Sequence, residues 1–305
     1  MSAVGRALDI LRRGGVVAIP TETVYGLAAD ADNPAAVARV FAIKGRPRDH
    51  PLIVHVASAG SLDAWGRTTP AALTLAEACW PGPLTMILQR TPRVIDAVTG
   101  GRDTVGLRVP AHPLTAELLA EFGGGLAAPS ANRFGAVSPT TAAHVVADLD
   151  DDVDFVLDGG PCAVGVESTI VDCTVDPAQI LRSGAITAEQ VTALLGSVGD
   201  TAGPARAPGM LASHYAPRAT VLLASTPGEA DAMAAGLDHA AVIDGTDDLP
   251  RYARHLYAWL RAADDSGAQV IVAVLPPPAG LGHALRDRLT KAATPPGPPT
   301  VRPAP

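Results

Sequence analysis

The sequence predicts an α/β protein built of a large first unit and a smaller second one. Short apolar runs typical of buried strands alternate along the chain with segments of helical periodicity. The 305 residues suffice for two domains, and a hydrophobic content of 48% against 18% charged residues is enough to fill their cores. Residues 197–208 lose this periodicity and are rich in Gly, Ala and Pro, which indicates a linker.

The first unit is predicted over residues 1–196. It starts with a helix whose apolar residues recur at helical spacing as far as Leu11. Two glycines then end this helix. Asn33 as cap and Pro34 in the first turn predict a helix toward Ile43. Further helices are expected over 70–79, over 113–122, from Ser138-Pro139 onward, and over 187–195, where Thr187 and Gln190 suit a capping box. Strands are expected at 16–19, 52–56, 84–88, 104–109, 126–128, 153–157, 168–171 and 179–182.

The second unit is predicted over residues 220–293 as a small doubly wound α/β domain. Its strands are expected at 220–224, 240–243 and 269–275, with helical stretches between them. The segment 197–219 is assigned to the linker, and the proline-rich tail 294–305 is expected to be disordered.

Composition excludes several classes of protein. A net charge of −8 argues against non-specific coating of nucleic acid. No apolar run is long enough for a membrane span. The three cysteines have no Cys-x-x-Cys spacing, so reduced thiols and a cytoplasmic location are expected.

Polar residues at or near the predicted strand ends are the candidate ligand contacts. Lysine occurs only at positions 44 and 291, so Lys44 indicates a compact ammonium suited to a phosphate. Cations, hydroxyls and an amide meeting at one sheet edge favour phosphoryl or nucleotidyl transfer, which relies on positioning and charge neutralisation. The candidates are Thr21, Thr23, Lys44, Arg46, His55, Arg108, Ser130, Asn132, Ser168 and Arg182.

Each candidate also has a purely structural interpretation. Arg108 and Arg182 suit ion-paired arginines, and His55 suits a core histidine. Ser130 and Asn132 suit turn or cap positions. The pair His214-Tyr215 is the hardest to explain structurally, because a linker has no use for two aromatic rings unless they pack back on the protein.

Taken together, the motifs resemble the YrdC-like family. They run in the family's order over nearly all of residues 5–218, and the last ones resemble the linker of its longer, two-domain members. The matching segments are Pro20-Thr21-Glu22-Thr23-Val24-Tyr25-Gly26-Leu27, Lys44-Gly45-Arg46-Pro47, Pro51-Leu52-Ile53-Val54-His55, Trp80-Pro81-Gly82-Pro83-Leu84-Thr85, 104–110, Pro129-Ser130-Ala131-Asn132, Ser138-Pro139-Thr140, 168–172, Pro208-Gly209-Met210 and His214-Tyr215-Ala216-Pro217.

The resemblance implies a twisted open mixed sheet with helices and a concave ligand cleft, followed by a Rossmann-like α/β domain. It implies synthesis of threonylcarbamoyl-AMP from L-threonine, bicarbonate and ATP, with Mg²⁺ accompanying ATP and pyrophosphate released. The product would serve tRNA threonylcarbamoyl transferase machinery in forming N6-threonylcarbamoyladenosine, with direct tRNA binding weak or absent. No metal ligand among the protein side chains is expected.

The resemblance also implies residue roles. Lys44, Arg46, Ser130 and Asn132 form the catalytic Lys-x-Arg and Ser-x-Asn signature. L-Threonine would be held by Thr23, His55, Arg108, Ala128 and Ser168. ATP would be held by Arg46, His50, Thr104, Ser130, Ser138, Arg182 and Tyr215. Contact of Tyr215 with the nucleotide would make the linker a lid over the cleft.

Two positions depart from the family pattern. The family usually has Asn where this chain has His50, and a small polar residue where it has Phe134. His50 adds a titratable group, so nucleotide affinity is expected to change between about pH 5.5 and 7.5.

Two other functions compete with the synthase. A concave basic face could bind double-stranded RNA by shape without synthase activity, although the acidic charge weighs against it. Carbamoyl transfer in metallocentre maturation is the other, but the acylphosphatase-like and zinc-finger segments of such chains are missing here. No chemistry is assigned to the C-terminal unit.

Overall fold

The computed structural model describes residues 1–199 and 214–295. The predicted motif Pro208-Gly209-Met210, most of the predicted linker and nearly all of the predicted tail lie outside the described residues.

A ten-stranded mixed sheet forms the centre of the first unit. Its strands, in chain order, are β1 (Val17–Ile19), β2 (Gly26–Asp30), β3 (Ile53–His55), β4 (Gly66–Arg67), β5 (Leu84–Arg90), β6 (Thr104–Arg108), β7 (Leu126–Ala127), β8 (Phe155–Val156), β9 (Thr169–Asp172) and β10 (Gln179–Arg182). They lie in the order β10-β9-β5-β6-β3-β7-β2-β1-β8, and β4 pairs with β5. The pairs β3–β6, β5–β9 and β1–β8 are parallel, and the remaining pairs are antiparallel.

Helices cover the sheet. They are α1 (Ala3–Arg12), α2 (Pro34–Lys44), α3 (Leu62–Trp65), α4 (Pro70–Cys79), α5 (Asp96–Thr99), α6 (Pro113–Phe122), α7 (Ala142–Leu149) and α8 (Ala188–Leu195), with 3₁₀ turns at Ala59–Ser61 and Asp150–Asp152. One hydrophobic core lies between the sheet and α2, α4 and α7, and another packs α1 and α6 against its other side.

Local signals set several helix ends as predicted. The Asn33 side chain accepts hydrogen bonds from the backbone N–H groups of residues 35 and 36, and Pro34 occupies the first turn. Gly45 then ends α2 with a φ of 63°, a left-handed conformation that favours glycine. Thr187 and Gln190 form the predicted capping box of α8.

The second unit is a small α/β domain with three parallel strands. Its elements are β11 (Thr220–Ala224), α9 (Pro227–Ala235), β12 (Ala240–Ile243), α10 (Leu249–Asp265), β13 (Val270–Val274) and α11 (Leu281–Ala293), and the strand order is β11-β13-β12. Tyr252 of α10 is buried and donates a hydrogen bond from its hydroxyl to the Val274 carbonyl at 3.0 Å. The predicted α/β class and the smaller parallel domain are confirmed.

One helix begins later than predicted, and some short elements were not predicted. Ser138 does not start α7; the helix begins at Ala142, with the Thr141 hydroxyl accepting from the His144 N–H. Strand β2 was missed because its Gly-Leu-Ala-Ala-Asp sequence has low strand propensity and is held by pairing with β1 and β7. Within the described residues, no helix is both long and apolar enough to cross a membrane.

Candidate active site

A concave cleft of about 600 Å³, counting its open mouth, lies where several strands of the large sheet end. It collects most of the polar residues that the sequence placed at strand ends. The residues that line it are Thr21, Thr23, Val24, Gly26, Arg46, Ile53, His55, Arg108, Ala128, Pro129, Ser130, Glu167, Ser168, Arg182, His214 and Tyr215.

A tight turn after β1 fixes the hydroxyls of Thr21 and Thr23. The Thr21 hydroxyl donates to the Val24 carbonyl at 2.7 Å and accepts from the backbone N–H groups of Thr23 and Val24 at 3.1 and 3.2 Å. The two threonine hydroxyl oxygens lie 2.8 Å apart. Thr23 is therefore held rigidly at the cleft wall, fully buried.

Strand register places His55 beside Arg108. The parallel pairing of β3 with β6 sets the two residues opposite each other. Burial, and then the neighbouring guanidinium of Arg108, lower the pKa of His55 to about 3, so the ring is neutral at physiological pH. Within the described part of the chain, His55 Nδ1 is buried without a hydrogen-bond partner, and the ring as a whole lines the cleft.

Arg108 is held in place by the backbone and by a buried carboxylate. Its Nε donates to the Gly82 carbonyl at 3.3 Å, and its Nη2 lies 2.7 Å from Glu22 Oε1. The other oxygen of Glu22 accepts from the Ala111 N–H at 3.0 Å. Glu22 thus orients a guanidinium that can receive a carboxylate in the cleft.

Ser168 is fixed between two strands and an arginine. Its hydroxyl lies 2.7 Å from that of Thr85 on β5. Arg182 on β10 donates from Nε to the Ser168 carbonyl at 3.0 Å and from Nη2 to the Ser168 hydroxyl at 3.1 Å. The arginine therefore fixes both the backbone and the side chain of Ser168 at the cleft wall.

The Lys-x-Arg motif at the end of α2 supplies two cations. One lines the cleft, and the other supports a loop beside it. Arg46 lines the cleft, donates from Nη2 to the Pro51 carbonyl at 3.1 Å, and has its pKa lowered to about 10, mainly by burial. Lys44 instead points its ammonium at the carbonyls of Ser130 and Asn132, at 2.5 and 2.6 Å. Lys44 thereby holds the Ser130–Asn132 loop.

Five of the predicted site residues do not line the cleft. Lys44 lies behind the loop just described, and Asn132 is a buried member of that loop. Ser138 is fully buried and donates its hydroxyl to Glu167 at 2.7 Å. Thr104 begins β6, which runs from there to Arg108 in the cleft, and His50 packs against Phe134 with ring centroids 5.5 Å apart.

The structure also adds residues that sequence reasoning did not assign to the site. His214 lines the cleft beside Tyr215, as its unusual place in a linker suggested. Glu22 and Thr85 hold Arg108 and Ser168, and Glu167 lines the cleft itself. Thr85 lies in a matching motif but was given no role, and no sequence signal marked Glu167, because the partners of both lie far along the chain.

This arrangement suits an anionic ligand next to a small polar one. Thr23, His55 and Arg108 offer a hydroxyl, a neutral imidazole and a guanidinium, a set that can bind an amino acid. Arg46 and Arg182 can neutralise a polyphosphate. Both sets line one cleft, so two substrates can be held next to each other there.

Comparison with known proteins shows the same two-part organisation. Residues 9–184 match a family model described as telomere recombination, and residues 186–294 match one described as the threonylcarbamoyl-AMP synthase C-terminal domain. The threonylcarbamoyl-AMP synthase of Pyrococcus abyssi is 38% identical over 94% of this chain and 93% of its own. That of Bacillus subtilis is also 38% identical, over 95% of this chain and 92% of its own.

A solved structure agrees over the whole fold. The crystal structure of P. abyssi Sua5 complexed with L-threonine is 37% identical and matches with a TM-score of 0.91, covering 95% of this chain and 94% of that one. Because both parts match in order and the relatives are covered nearly end to end, this chain belongs to the two-domain threonylcarbamoyl-AMP synthase family.

Proposed function

We propose that the cleft condenses L-threonine, bicarbonate and ATP to threonylcarbamoyl-AMP and pyrophosphate. The observation that carries this assignment is that one cavity gathers all the residues expected for threonine, together with most of those expected for ATP. The first set is Thr23, His55, Arg108, Ala128 and Ser168, and the second is Arg46, Ser130, Arg182 and Tyr215.

In the threonine half, Arg108 binds the substrate carboxylate, with Glu22 keeping the guanidinium in place. The neutral imidazole of His55 and the hydroxyls of Thr23 and Ser168 take the remaining polar groups, and the backbone of Ala128 closes the pocket. Support comes from the cleft wall, which Thr23, His55 and Ser168 line together with Arg108.

In the nucleotide half, Arg46 and Arg182 neutralise the phosphates, while Ser130 and Tyr215 complete the wall. Lys44 and Asn132 act by positioning Ser130, since the Lys44 ammonium contacts that loop. His50, Thr104 and Ser138 do not line the cleft, and we propose that they support nucleotide binding from outside its wall. Because Tyr215 lines the cleft, the linker, residues 197–219, would act as a lid.

The reaction has two steps. The threonine amine attacks bicarbonate carbon, and loss of water gives a carbamate. A carbamate oxygen then attacks the α-phosphorus of ATP, a new P–O bond forms, and the bond to the bridging oxygen of pyrophosphate breaks. The protein contributes orientation and neutralisation of charge, which are the main terms in transfer of this kind.

The proposal includes further components. Mg²⁺ would arrive with ATP on phosphate oxygens, since Glu22 and Glu167 are already paired with Arg108 and Arg288. The product would pass to the cytoplasmic transferase machinery that forms N6-threonylcarbamoyladenosine in tRNA, with direct tRNA binding weak or absent.

Pyrophosphate release from ATP, with bicarbonate and Mg²⁺ present, tests the proposal directly. We expect release that requires L-threonine and that is lost in Arg46→Ala. Arg39→Ala, which removes a half-exposed cation paired with Asp154, is the matched control and should retain activity. Release without threonine dependence, in folded protein, would contradict the proposal.

The RNA-binding alternative predicts a different result. Binding driven by phosphate contacts falls steeply between low and physiological salt. Measurable affinity for double-stranded RNA with that salt dependence, without threonine-dependent pyrophosphate release, would favour the alternative.

A further inference from the structure

A buried carboxylate connects the cleft with the C-terminal domain. Glu167 precedes β9, lines the cleft and is 7% exposed. Its Oε1 accepts from the Ser138 hydroxyl at 2.7 Å, and its Oε2 accepts from the Tyr257 hydroxyl at 2.7 Å and from Arg288 Nε at 2.9 Å. Two of these three donors therefore belong to the C-terminal domain, one on α10 and one on α11.

The two C-terminal donors do not line the cleft themselves. Tyr257 is fully buried and Arg288 is 1% exposed, and neither is among the described residues that form the cleft wall. Arg288 is held by its own domain and by the first one, since Nη1 donates to Asp287 Oδ2 at 2.8 Å and to the Ser183 carbonyl at 2.7 Å. Any effect of these side chains on substrate must pass through a neighbour.

The same two side chains also hold the end of the linker. The ring of Tyr257 stacks on Tyr215 with centroids 5.7 Å apart, and the Arg288 guanidinium lies 5.5 Å from the centroid of the same ring. Tyr215 has a φ of 61°, a conformation that is costly for a residue with a side chain and that persists where surrounding contacts impose it. Tyr257 and Arg288 of the C-terminal domain provide two of those contacts.

We propose that Glu167 is a positioning residue through which the C-terminal domain fixes the nucleotide half of the cleft. Glu167, Tyr257, Arg288 and Tyr215 form one buried unit, which we term the interdomain cluster. It holds Tyr215 against the cleft and the Ser138 hydroxyl behind it. This inference rests on the proposed function and gives the C-terminal domain a role in it: to set nucleotide affinity without touching the substrate.

The charge of Glu167 is part of that role. Burial alone would raise its pKa, but Arg288, Arg182 and the two hydroxyl donors lower the pKa to about 2. The carboxylate is therefore ionised at physiological pH and accepts from all three donors. In Glu167→Gln the shape is kept, but the charge is lost and the amide nitrogen cannot accept a hydrogen bond.

Two variants and one matched control test the proposal. Glu167→Gln removes the charge, and Tyr257→Phe removes a single hydroxyl while keeping the ring on Tyr215. The control is Arg261→Met, also on α10. It breaks another interdomain ion pair, the contacts of Arg261 with Asp148 at 2.8 and 2.6 Å, outside the cleft. Dissociation constants for ATP and for L-threonine are measured by calorimetry, and melting temperatures are recorded for each protein.

We expect both variants to weaken ATP binding by roughly 10-fold, the effect of losing a hydrogen bond to a charged group, and to change threonine binding much less. Arg261→Met should lower the melting temperature and leave both affinities unchanged. If wild type binds both ligands and the variants resemble Arg261→Met, the interdomain cluster is only structural and the inference is wrong. If wild type binds neither ligand, the proposed function fails and the inference with it. Tyr257→Phe keeps the test decisive if Glu167→Gln does not fold.

Discussion

His50 and Phe134 are in edge-to-face contact, with ring centroids 5.5 Å apart and planes inclined by 62°. These are the two positions that the resemblance to the YrdC-like family marks as departures from its pattern, and they touch each other. Phe134 also meets His214 at 5.9 Å and lies 5.7 Å from the guanidinium of Arg46. Phe134 thus packs between the Lys-x-Arg loop, through His50 and Arg46, and His214 at the end of the linker.

This contact predicts that the two positions are coupled. The single variants His50→Asn and Phe134→Ser each remove the ring pair, so the double variant should lose less than the sum of the two. The expected coupling is about 0.5–1.5 kcal/mol in the free energy of unfolding, measured by urea titration of the four proteins. Phe134→Leu, which keeps apolar volume without the ring, is the control. Additive effects within about 0.5 kcal/mol would contradict the coupling.

His50 should also make ATP binding depend on pH. Burial is the main reason that the pKa of His50 lies below 6.5, and the charge of Arg46 is the second. Asp49 raises the pKa, and Arg102 lowers it. A protonated imidazole attracts phosphate, so ATP affinity should rise as pH falls through the lowered pKa of His50. The change is therefore expected below pH 6.5, towards or beyond the acidic end of the range inferred from sequence.

Calorimetric titration with ATP from pH 5 to 8 measures this effect. Protonation of ATP is common to all proteins, so the difference between wild type and His50→Asn isolates the histidine. Identical pH profiles in the two proteins would show that His50 takes no part in nucleotide binding.

Lys44 is expected to contribute to stability as well as to activity. Its ammonium is 3% exposed and donates to the carbonyls of Ser130 and Asn132. Lys44→Met would leave both carbonyls without this donor, at a cost of about 1–3 kcal/mol for a buried unsatisfied group. Urea unfolding of Lys44→Met measures the loss. Arg39→Met, which breaks a half-exposed ion pair, should cost about 1 kcal/mol or less.

The outcome separates two roles for Lys44. Wild-type stability together with weaker ATP binding would mean that the ammonium serves the phosphate directly and leaves the loop unaffected. Loss of stability with loss of both ligand affinities would support the positioning role.

Elements set by local chemistry were predictable from the sequence. Asn33-Pro34 and the Thr187–Gln190 capping box mark helix starts because their hydrogen bonds span only a few residues. Strand β2 was not predictable, since its small residues become a strand only by pairing with β1 and β7. Ser138 was assigned to a helix start, yet its hydroxyl bonds to Glu167, 29 positions away.

The candidate site divides in the same way, into residues that local sequence patterns predict and residues that long-range packing brings in. Strand ends identified Thr23, Arg108 and Arg182 as lining residues, because each lies at or just after the end of a strand that reaches the cleft. The supporting contacts depend on long-range packing. Thr85 meets Ser168 across 83 positions, and Glu167 meets Arg288 across 121. A role created by such a contact has no local signature.

The two buried histidines of the cleft should make the fold sensitive to acid. Burial is the main reason that the pKa values of His55 and His214 are lowered to about 3. In the unfolded chain each ring titrates near 6.5. Between these values the unfolded state binds protons that the folded state does not. Stability is therefore complete above about pH 6.5 and falls below it, by roughly 1.4 kcal/mol per pH unit for each ring.

Urea unfolding between pH 6.5 and 5 tests this expectation before most carboxylates are protonated. His214→Phe should reduce the slope of unfolding free energy against pH by the contribution of one proton, because only His55 then remains of the pair. Replacement of His283 by Gln, on the exposed face of α11, should leave the slope unchanged. If His214→Phe retains the wild-type slope, the buried ring is protonated in the folded protein, and a charged rather than neutral imidazole faces the nucleotide half of the cleft.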